Sequence, residues 1–108
     1  MNPIHTLEEV LGFVRALVPA ARKSFPECEV WLFGSYAKGC PGPASDVDVG
    51  IIVPAGDIDR YVDEGSMWGR ACDLWLAAAE IDDMLETCIR ESDCSFATHI
   101  RETGIRVA

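Results

Sequence analysis

Two aspartates, Asp46 and Asp48, lie one residue apart at the start of an apolar segment, SDVDVGIIV. Alternate residues of a β-strand project to the same face, so the spacing predicts neighbouring carboxylates, with Cα atoms roughly 7 Å apart. Adjacent carboxylates repel one another unless a cation lies between them or one of them binds a proton. Because Mg²⁺ binds through a few carboxylates together with substrate phosphates, the pair is suited to a magnesium site.

A turn upstream of this pair, Gly34-Ser35, provides groups that can bind phosphate. Gly34 allows the backbone to approach a ligand closely, the amides after it can donate to phosphate oxygens, and Ser35 adds a hydroxyl. The turn ends one apolar run, EVWLF, and the aspartates open the next one. A phosphate-binding turn beside a metal-binding pair is the arrangement that metal-assisted phosphoryl or nucleotidyl transfer requires.

The spacing of these residues resembles a known signature. Gly34-Ser35, ten intervening residues and then Asp46-x-Asp48 match the GS-x10-DxD pattern of the DNA polymerase beta-like nucleotidyltransferase superfamily. The segments FGSYAKG and SDVDVGIIV are similar, in particular, to FGSRARG and SDIDLxV of the prokaryotic minimal nucleotidyltransferases (MNT). The resemblance implies that Asp46 and Asp48 hold the catalytic divalent ions. It also implies that Gly34 and Ser35 bind the β- and γ-phosphates of a nucleoside triphosphate.

Two further residues flank a segment, CPGP at residues 40–43, whose prolines and glycine predict a loop. Lys38 stands where the MNT family often has arginine, and we expect it to be either a phosphate-binding residue or a solvated lysine. Ser45 directly precedes the aspartate pair, and the resemblance implies that it orders the loop beside the nucleotide.

The superfamily commonly adds a third carboxylate on the next strand, which acts as a base or completes the metal site. Asp82 fits this role by position, because it precedes a closing segment, IRETG at residues 100–104, that is similar to the family's terminal I-x-x-E-G. Asp83 stands where the family usually has an apolar residue. Asp73, in CDLW, is the competing candidate, although its surroundings have a helical pattern. We therefore expect Asp82 to be the third metal ligand and to activate the acceptor hydroxyl.

Hydrophobic periodicity places these residues on an α+β framework. The patterns predict a helix opened by a Thr6–Glu9 capping box, a mostly helical segment at residues 57–79 with a break at Gly65 or Gly69, and a last helix at residues 94–103. Strands are predicted at residues 29–33, 46–53 and 81–85, with a strand or tail after Gly104. We expect one domain, residues 1–108, with two layers: a small mixed sheet of about three to four strands and helices on one face, as in the polymerase beta-like nucleotidyltransferase core.

Composition narrows the class of protein. With 18 acidic and 9 basic side chains, the net charge of −9 argues against direct binding to nucleic acid and suits a basic protein partner. Five cysteines without a CxxC pair favour reduced thiols over a zinc site or disulfides. No apolar run is long enough to cross a membrane and the first residues do not resemble a signal peptide, so a cytoplasmic location is expected.

The three tryptophans are expected in the core, and His5 and His99 are expected to be surface or capping residues.

The resemblance implies an Mg²⁺-dependent antitoxin that transfers AMP from ATP to a tyrosine of a HEPN-type ribonuclease toxin. Two alternatives remain open. The first is a non-catalytic binding module that neutralises its partner by covering it, and the second is a small-molecule nucleotidyltransferase of the aminoglycoside-modifying kind. Family members also form dimers or hetero-oligomers, and no pattern in this sequence selects between those states.

Overall fold

The computed structural model describes residues 5–42 and 45–108 as a mixed sheet with helices. In chain order, the elements are α1 (Leu7–Ser24), β1 (Glu29–Phe33), α2 (Ser35–Lys38), β2 (Val47–Val53), α3 (Asp57–Asp63), α4 (Met67–Ile81), β3 (Leu85–Glu91), α5 (Ser95–Thr103) and β4 (Ile105–Arg106). The predicted loop at residues 40–43 is irregular over residues 40–42, and Pro43 lies outside the described residues.

The four strands form one open sheet in the order β3-β2-β1-β4. β1 runs antiparallel to both β2 and β4, whereas β2 and β3 are parallel. The parallel pair is possible because α3 and α4 carry the chain back across the sheet before β3 begins. The predicted α+β class with a mixed sheet is therefore confirmed.

The two faces of the sheet bury different residues. On the core face, the odd-numbered residues of β2 pack against α1 and α4 in one cluster whose largest members include Leu17, Leu32, Ile51 and Leu74. Thr6 and Glu9 form the predicted capping box at the start of α1. The opposite face carries a smaller cluster in which Ile52 packs against Ala97 and Ile100 of α5. The sequence predicted helices on one face only, and this prediction is wrong for α5, which lies on the face opposite to α1 and α4.

Close contact between α5 and β2 depends on Gly50. A Cβ at this position would lie 3.1 Å from the Ile100 side chain, so the helix approaches the strand across a residue without a side chain. Arg101, one residue further on, binds Glu29 of β1 with an Nη2–Oε2 distance of 2.6 Å. Together these contacts hold α5 over Gly50 and Ile52 of β2.

Two predictions about the elements are corrected or refined by the structure. The third strand spans Leu85–Glu91 rather than residues 81–85, because α4 continues to Ile81 and Asp82 is its C-cap. The helical break predicted at Gly65 or Gly69 falls at Gly65, which has φ +75°, and Gly69 lies inside α4. Within the described residues, no helix is long and apolar enough to cross a membrane.

The expectation that the tryptophans are core residues is wrong for two of them. Trp68 and Trp75 lie on α4 with 75% and 45% of their surfaces exposed. The core side of α4 needs only small and medium residues, since Ala71, Leu74 and Ala78 already fill it. Trp31 packs against the cluster under α5.

Candidate active site

The turn after β1 has a backbone conformation that requires glycine. Gly34 has φ +76° and ψ −153°, a region that L-residues with a side chain rarely adopt. A Cβ at this position would collide with the carboxylate of Asp48 and lie 3.1 Å from its carboxyl carbon. The turn and the aspartate are therefore in direct contact, as the spacing of the two motifs predicted.

Ser35 opens α2, which has only four residues. The first amides of any helix have no carbonyl partner within that helix, so the N–H groups of Ser35, Tyr36 and Ala37 can donate elsewhere. Tyr36 itself is buried with the core. Gly39 ends the helix in a left-handed conformation.

The aspartates lie where β2 begins. Asp48 pairs with Phe33 at the end of β1 and with Glu86 of β3, so it stands in the centre of the sheet. Asp46 precedes the first residue of the strand and is exposed, whereas Asp48 is half-buried. Their neighbours Val47 and Val49 are fully buried on the core face, which directs the two carboxylates to the opposite face.

Glu86 is the acidic residue that the structure brings to this pair and that the sequence reasoning missed. It is in register with Asp48 in the parallel ladder, so both side chains leave the sheet on the same face. Its carboxyl group also lies within hydrogen-bonding reach of the Asp46 carboxyl group. The available signal was the alternation in LETCIRE, where Leu85, Thr87 and Ile89 form one face of the strand and Glu86, Cys88 and Arg90 the other.

In this crowded cluster the pKa of Glu86 and that of Asp48 are both raised. The hydrogen bond with Asp46 raises the pKa of Glu86, and the negative charges of Asp46 and Asp48 raise it further. Burial raises the pKa of Asp48, with an added contribution from the charge of Asp46. Raised values mean that the fully ionised cluster is repulsive, so it favours binding either a proton or a cation.

The two acidic residues considered for the third position lie elsewhere. Asp82 accepts from the amide of Met84 at 2.8 Å through Oδ1, and its Oδ2 is 3.2 Å from Nε2 of His5. It therefore closes the turn between α4 and β3 and anchors His5, two residues before α1. Asp73 is exposed on α4.

The residues flanking the loop have different surroundings. Ser45 accepts a hydrogen bond from the Gly42 amide at 2.7 Å and donates its own amide to the Gly42 carbonyl at 3.3 Å. It thus holds the loop in front of the aspartates. Lys38 is exposed at the end of α2, four residues after the Gly34 turn.

The carboxylate cluster has the donor chemistry that a hard divalent cation requires. In the part of the chain that the structure describes, no group of three or more His, Cys, Asp or Glu side chains is arranged to hold a metal ion by itself. Mg²⁺ often binds through one or two carboxylates, with water and substrate phosphates as its other ligands. Asp46 and Asp48 can provide those two carboxylates, and an ion there would relieve the repulsion between them and Glu86.

Comparison with known proteins is consistent with this geometry. The sequence profile of a family described as "Nucleotidyltransferase domain" matches residues 8–102. No curated protein sequence matches the chain significantly.

A crystal structure of a Sulfolobus solfataricus protein, provisionally assigned as a nucleotidyltransferase, superimposes with a TM-score of 0.59 at 17% identity. The similarity covers 93% of this chain and 80% of the archaeal one and shows that the two share a fold. Because the family profile spans nearly all of the sequence, the chain belongs to the nucleotidyltransferase domain family.

Proposed function

We propose that this protein is an Mg²⁺-dependent adenylyltransferase that transfers AMP from ATP to a tyrosine of a HEPN-type ribonuclease toxin and thereby acts as its antitoxin. The observation that carries the proposal is the meeting of Asp46, Asp48 and Glu86 on one face of the sheet, directly beside the Gly34 turn. Nucleotidyltransferase domains generally use a nucleoside triphosphate and a divalent metal ion. The tyrosine acceptor and the adenine base of the nucleotide are the parts that we propose beyond the family.

The residues divide the work of the reaction between them. The amides after Gly34 and the Ser35 hydroxyl bind the β- and γ-phosphates, which become the leaving pyrophosphate. Asp46 and Asp48 would hold the ion, which would supply positive charge to offset the charge that develops on the triphosphate.

Glu86 is placed to act as the general base. The tyrosine oxygen forms a bond to the α-phosphorus, the bond between that phosphorus and the bridging oxygen breaks, and pyrophosphate leaves. The proton of the tyrosine hydroxyl passes to Glu86. Its carboxylate leaves the sheet on the same face as Asp48, beside the ion that the aspartate pair would hold, where it can accept that proton.

Two features support a protein acceptor. The match to the MNT pattern extends over both motifs, and members of that family act on HEPN-type toxins. The net charge of −9 favours association with a basic, RNA-cutting partner.

The test uses ATP labelled on the α-phosphate, Mg²⁺, the purified protein and a HEPN-type protein encoded beside it. We expect label on the toxin, its loss when the acceptor tyrosine is replaced by phenylalanine, and its loss with Asp48→Asn or Glu86→Gln. The matched control is Asp82→Asn, which should still transfer label. Transfer that survives Asp48→Asn would contradict the catalytic assignment.

Two other outcomes would identify the alternatives. A tight complex without transfer, whichever divalent ion is supplied, would indicate a binding module that neutralises its partner by covering it. Label recovered on a small hydroxyl compound rather than on protein would indicate a small-molecule nucleotidyltransferase.

A further inference from the structure

The outer edge of β3 is an open strand edge in the four-stranded sheet. Contacts at its ends show which residues point outwards. Met84 accepts from the amide of Val47, and Ser92 donates to the carbonyl of Val53, so the even-numbered residues face β2. The carbonyl of Ile89 instead accepts a hydrogen bond from the side chain of Arg90, at 2.9 Å. The backbone groups of Thr87 and Ile89 therefore point away from the sheet.

An apolar groove of about 500 Å³ runs along this edge. Its walls are Met67, Trp68 and Trp75 of α4 on one side and residues 86–90 of β3 on the other. Of the six large apolar side chains that are exposed among the described residues, three line this groove, namely Val62, Trp68 and Trp75. Soluble proteins usually protect such an edge with charged residues, proline or a bulge, so a strand that pairs here must match the charges of LETCIRE.

The charges on β3 are self-complementary. Glu86 and Arg90 lie two residues on either side of Cys88 and share a face with it. If a second β3 runs antiparallel with its Cys88 opposite the first, Glu86 of each copy faces Arg90 of the other. Thr87 then lies opposite Ile89, and both have outward backbone groups, as a hydrogen-bonded antiparallel pair requires.

We propose that β3 of one copy pairs antiparallel with β3 of a second copy, which places Arg90 of each beside Glu86 of the other. The sheet becomes continuous across the two copies, with both α4 helices on one face and both carboxylate clusters on the other. The carbonyl of Ile89 exchanges its bond with Arg90 for the Thr87 amide of the second copy. The Arg90 guanidinium that is released turns to Glu86 of the second copy.

The tryptophans supply part of the buried surface. The exposed parts of Trp68 and Trp75 come to roughly 250 Å² per copy, whereas a stable interface buries about 800 Å² per partner. The backbone of the paired strands and Val62, which also lines the groove, add to this area. The second copy also brings its Arg90 guanidinium to the carboxylate cluster of the first. Within one copy, Arg90 lies roughly 14 Å along β3 from Glu86.

A charge exchange tests the pairing through the mass of the particle in solution. We expect the wild-type chain to sediment at twice the monomer mass, and Glu86→Arg and Arg90→Glu to sediment each as monomers, because like charges then face one another. An equal mixture of the two variants restores opposite charges at both positions and should sediment as a dimer. The double variant, carrying both changes, should do the same.

Amide hydrogen exchange provides a second measurement that does not depend on the variants folding. In the wild-type dimer, the amides of Thr87 and Ile89 should exchange about tenfold or more slowly at high than at low protein concentration, whereas the Cys88 amide, bonded to β2, should not change. A chain that stays monomeric at its highest soluble concentration would overturn the proposal and leave the edge to a different protein. Single variants that remain dimeric would overturn it by locating the interface elsewhere. Because mass and exchange are the readouts, failure of the adenylyl transfer would leave this result unaffected.

Discussion

Gly34 and Asp48 are in contact across the antiparallel pair of β1 and β2, so closely that a Cβ on the glycine would lie 3.1 Å from the carboxyl carbon of the aspartate. The Gly34 turn and the strand that carries Asp48 therefore form one packed unit. Changes in the turn should affect the carboxylate directly.

Replacing Gly34 by alanine should impair both stability and activity. The positive φ costs about 1–3 kcal/mol for a residue with a side chain, and the new Cβ displaces the Asp48 carboxylate. We expect a lower melting temperature and loss of label transfer. Gly39→Ala is the matched control, because Gly39 also has a positive φ but has nothing within 4 Å of a Cβ. An active Gly34→Ala protein would contradict the close contact.

Replacing Asp48 by asparagine should stabilise the fold at neutral pH in the absence of metal. The folded-state pKa of Asp48 and that of Glu86 lie above their unfolded values, so the ionised cluster costs stability above those values. That cost disappears as the pH falls through the folded-state pKa and the groups bind protons. Thermal unfolding at several pH values should show a gain of about 2–4 °C near pH 7 that vanishes in acid. A gain that grows towards acid would contradict the raised values.

Adding Mg²⁺ should raise the melting temperature of the wild-type protein, because an ion that binds only the folded state stabilises it. The gain should increase with Mg²⁺ concentration and be reversed by a chelator. It should be small or absent in Asp48→Asn, which lacks one carboxylate of the cluster. An equal gain in both proteins would indicate that the ion binds elsewhere on the acidic surface.

Glu86→Gln and Asp82→Asn should separate catalysis from stability. Loss of a general base reduces the rate by about 10²–10⁴-fold, so Glu86→Gln should nearly abolish transfer and leave the fold intact. Asp82→Asn should change the rate little but lower stability by about 1 kcal/mol, because Asp82 contacts His5 and the Met84 amide. Rate measurements with thermal unfolding of the same samples check both outcomes, and the reverse pattern would restore Asp82 as the third catalytic carboxylate.

Replacing Arg101 by glutamine should loosen α5. The hydrogen bond and charge of Arg101 hold the pKa of Glu29 below its usual range, so this pair contributes stability near neutral pH that is lost as the pH falls through the lowered value. We expect the variant to lose about 1–2 kcal/mol at pH 7, a decrease of about 4–10 °C, and to approach the wild type in acid. A difference that persists at low pH would indicate that packing rather than charge dominates.

Local features of this chain were predictable because short-range chemistry determines them. The Thr6 capping box, the Gly34 turn and the Asp46–Asp48 pair each depend on residues within a few positions of one another. The mixed sheet follows from the same patterns together with the family resemblance.

Glu86 could not be identified in this way because its role depends on register between distant strands. Asp82 matched the expected position along the chain, but the helix before it continues to Ile81, further than its polar residues suggested. The strand therefore begins at Leu85, three residues after Asp82. The exposed Trp68 and Trp75 were missed for a related reason. Helical spacing identifies an apolar face, but it does not show that smaller residues on another side of α4 already fill the core.

The parallel pairing of β2 with β3 has a consequence for how activity appears during folding. β1 and β2 are close in sequence and can pair early, whereas β3 joins them only after α3 and α4 have formed the crossing. A partly folded chain would thus contain the turn and both aspartates but lack Glu86. Enzymatic turnover would then report completion of the last long-range step, so that an immature chain could hold a nucleotide without using it.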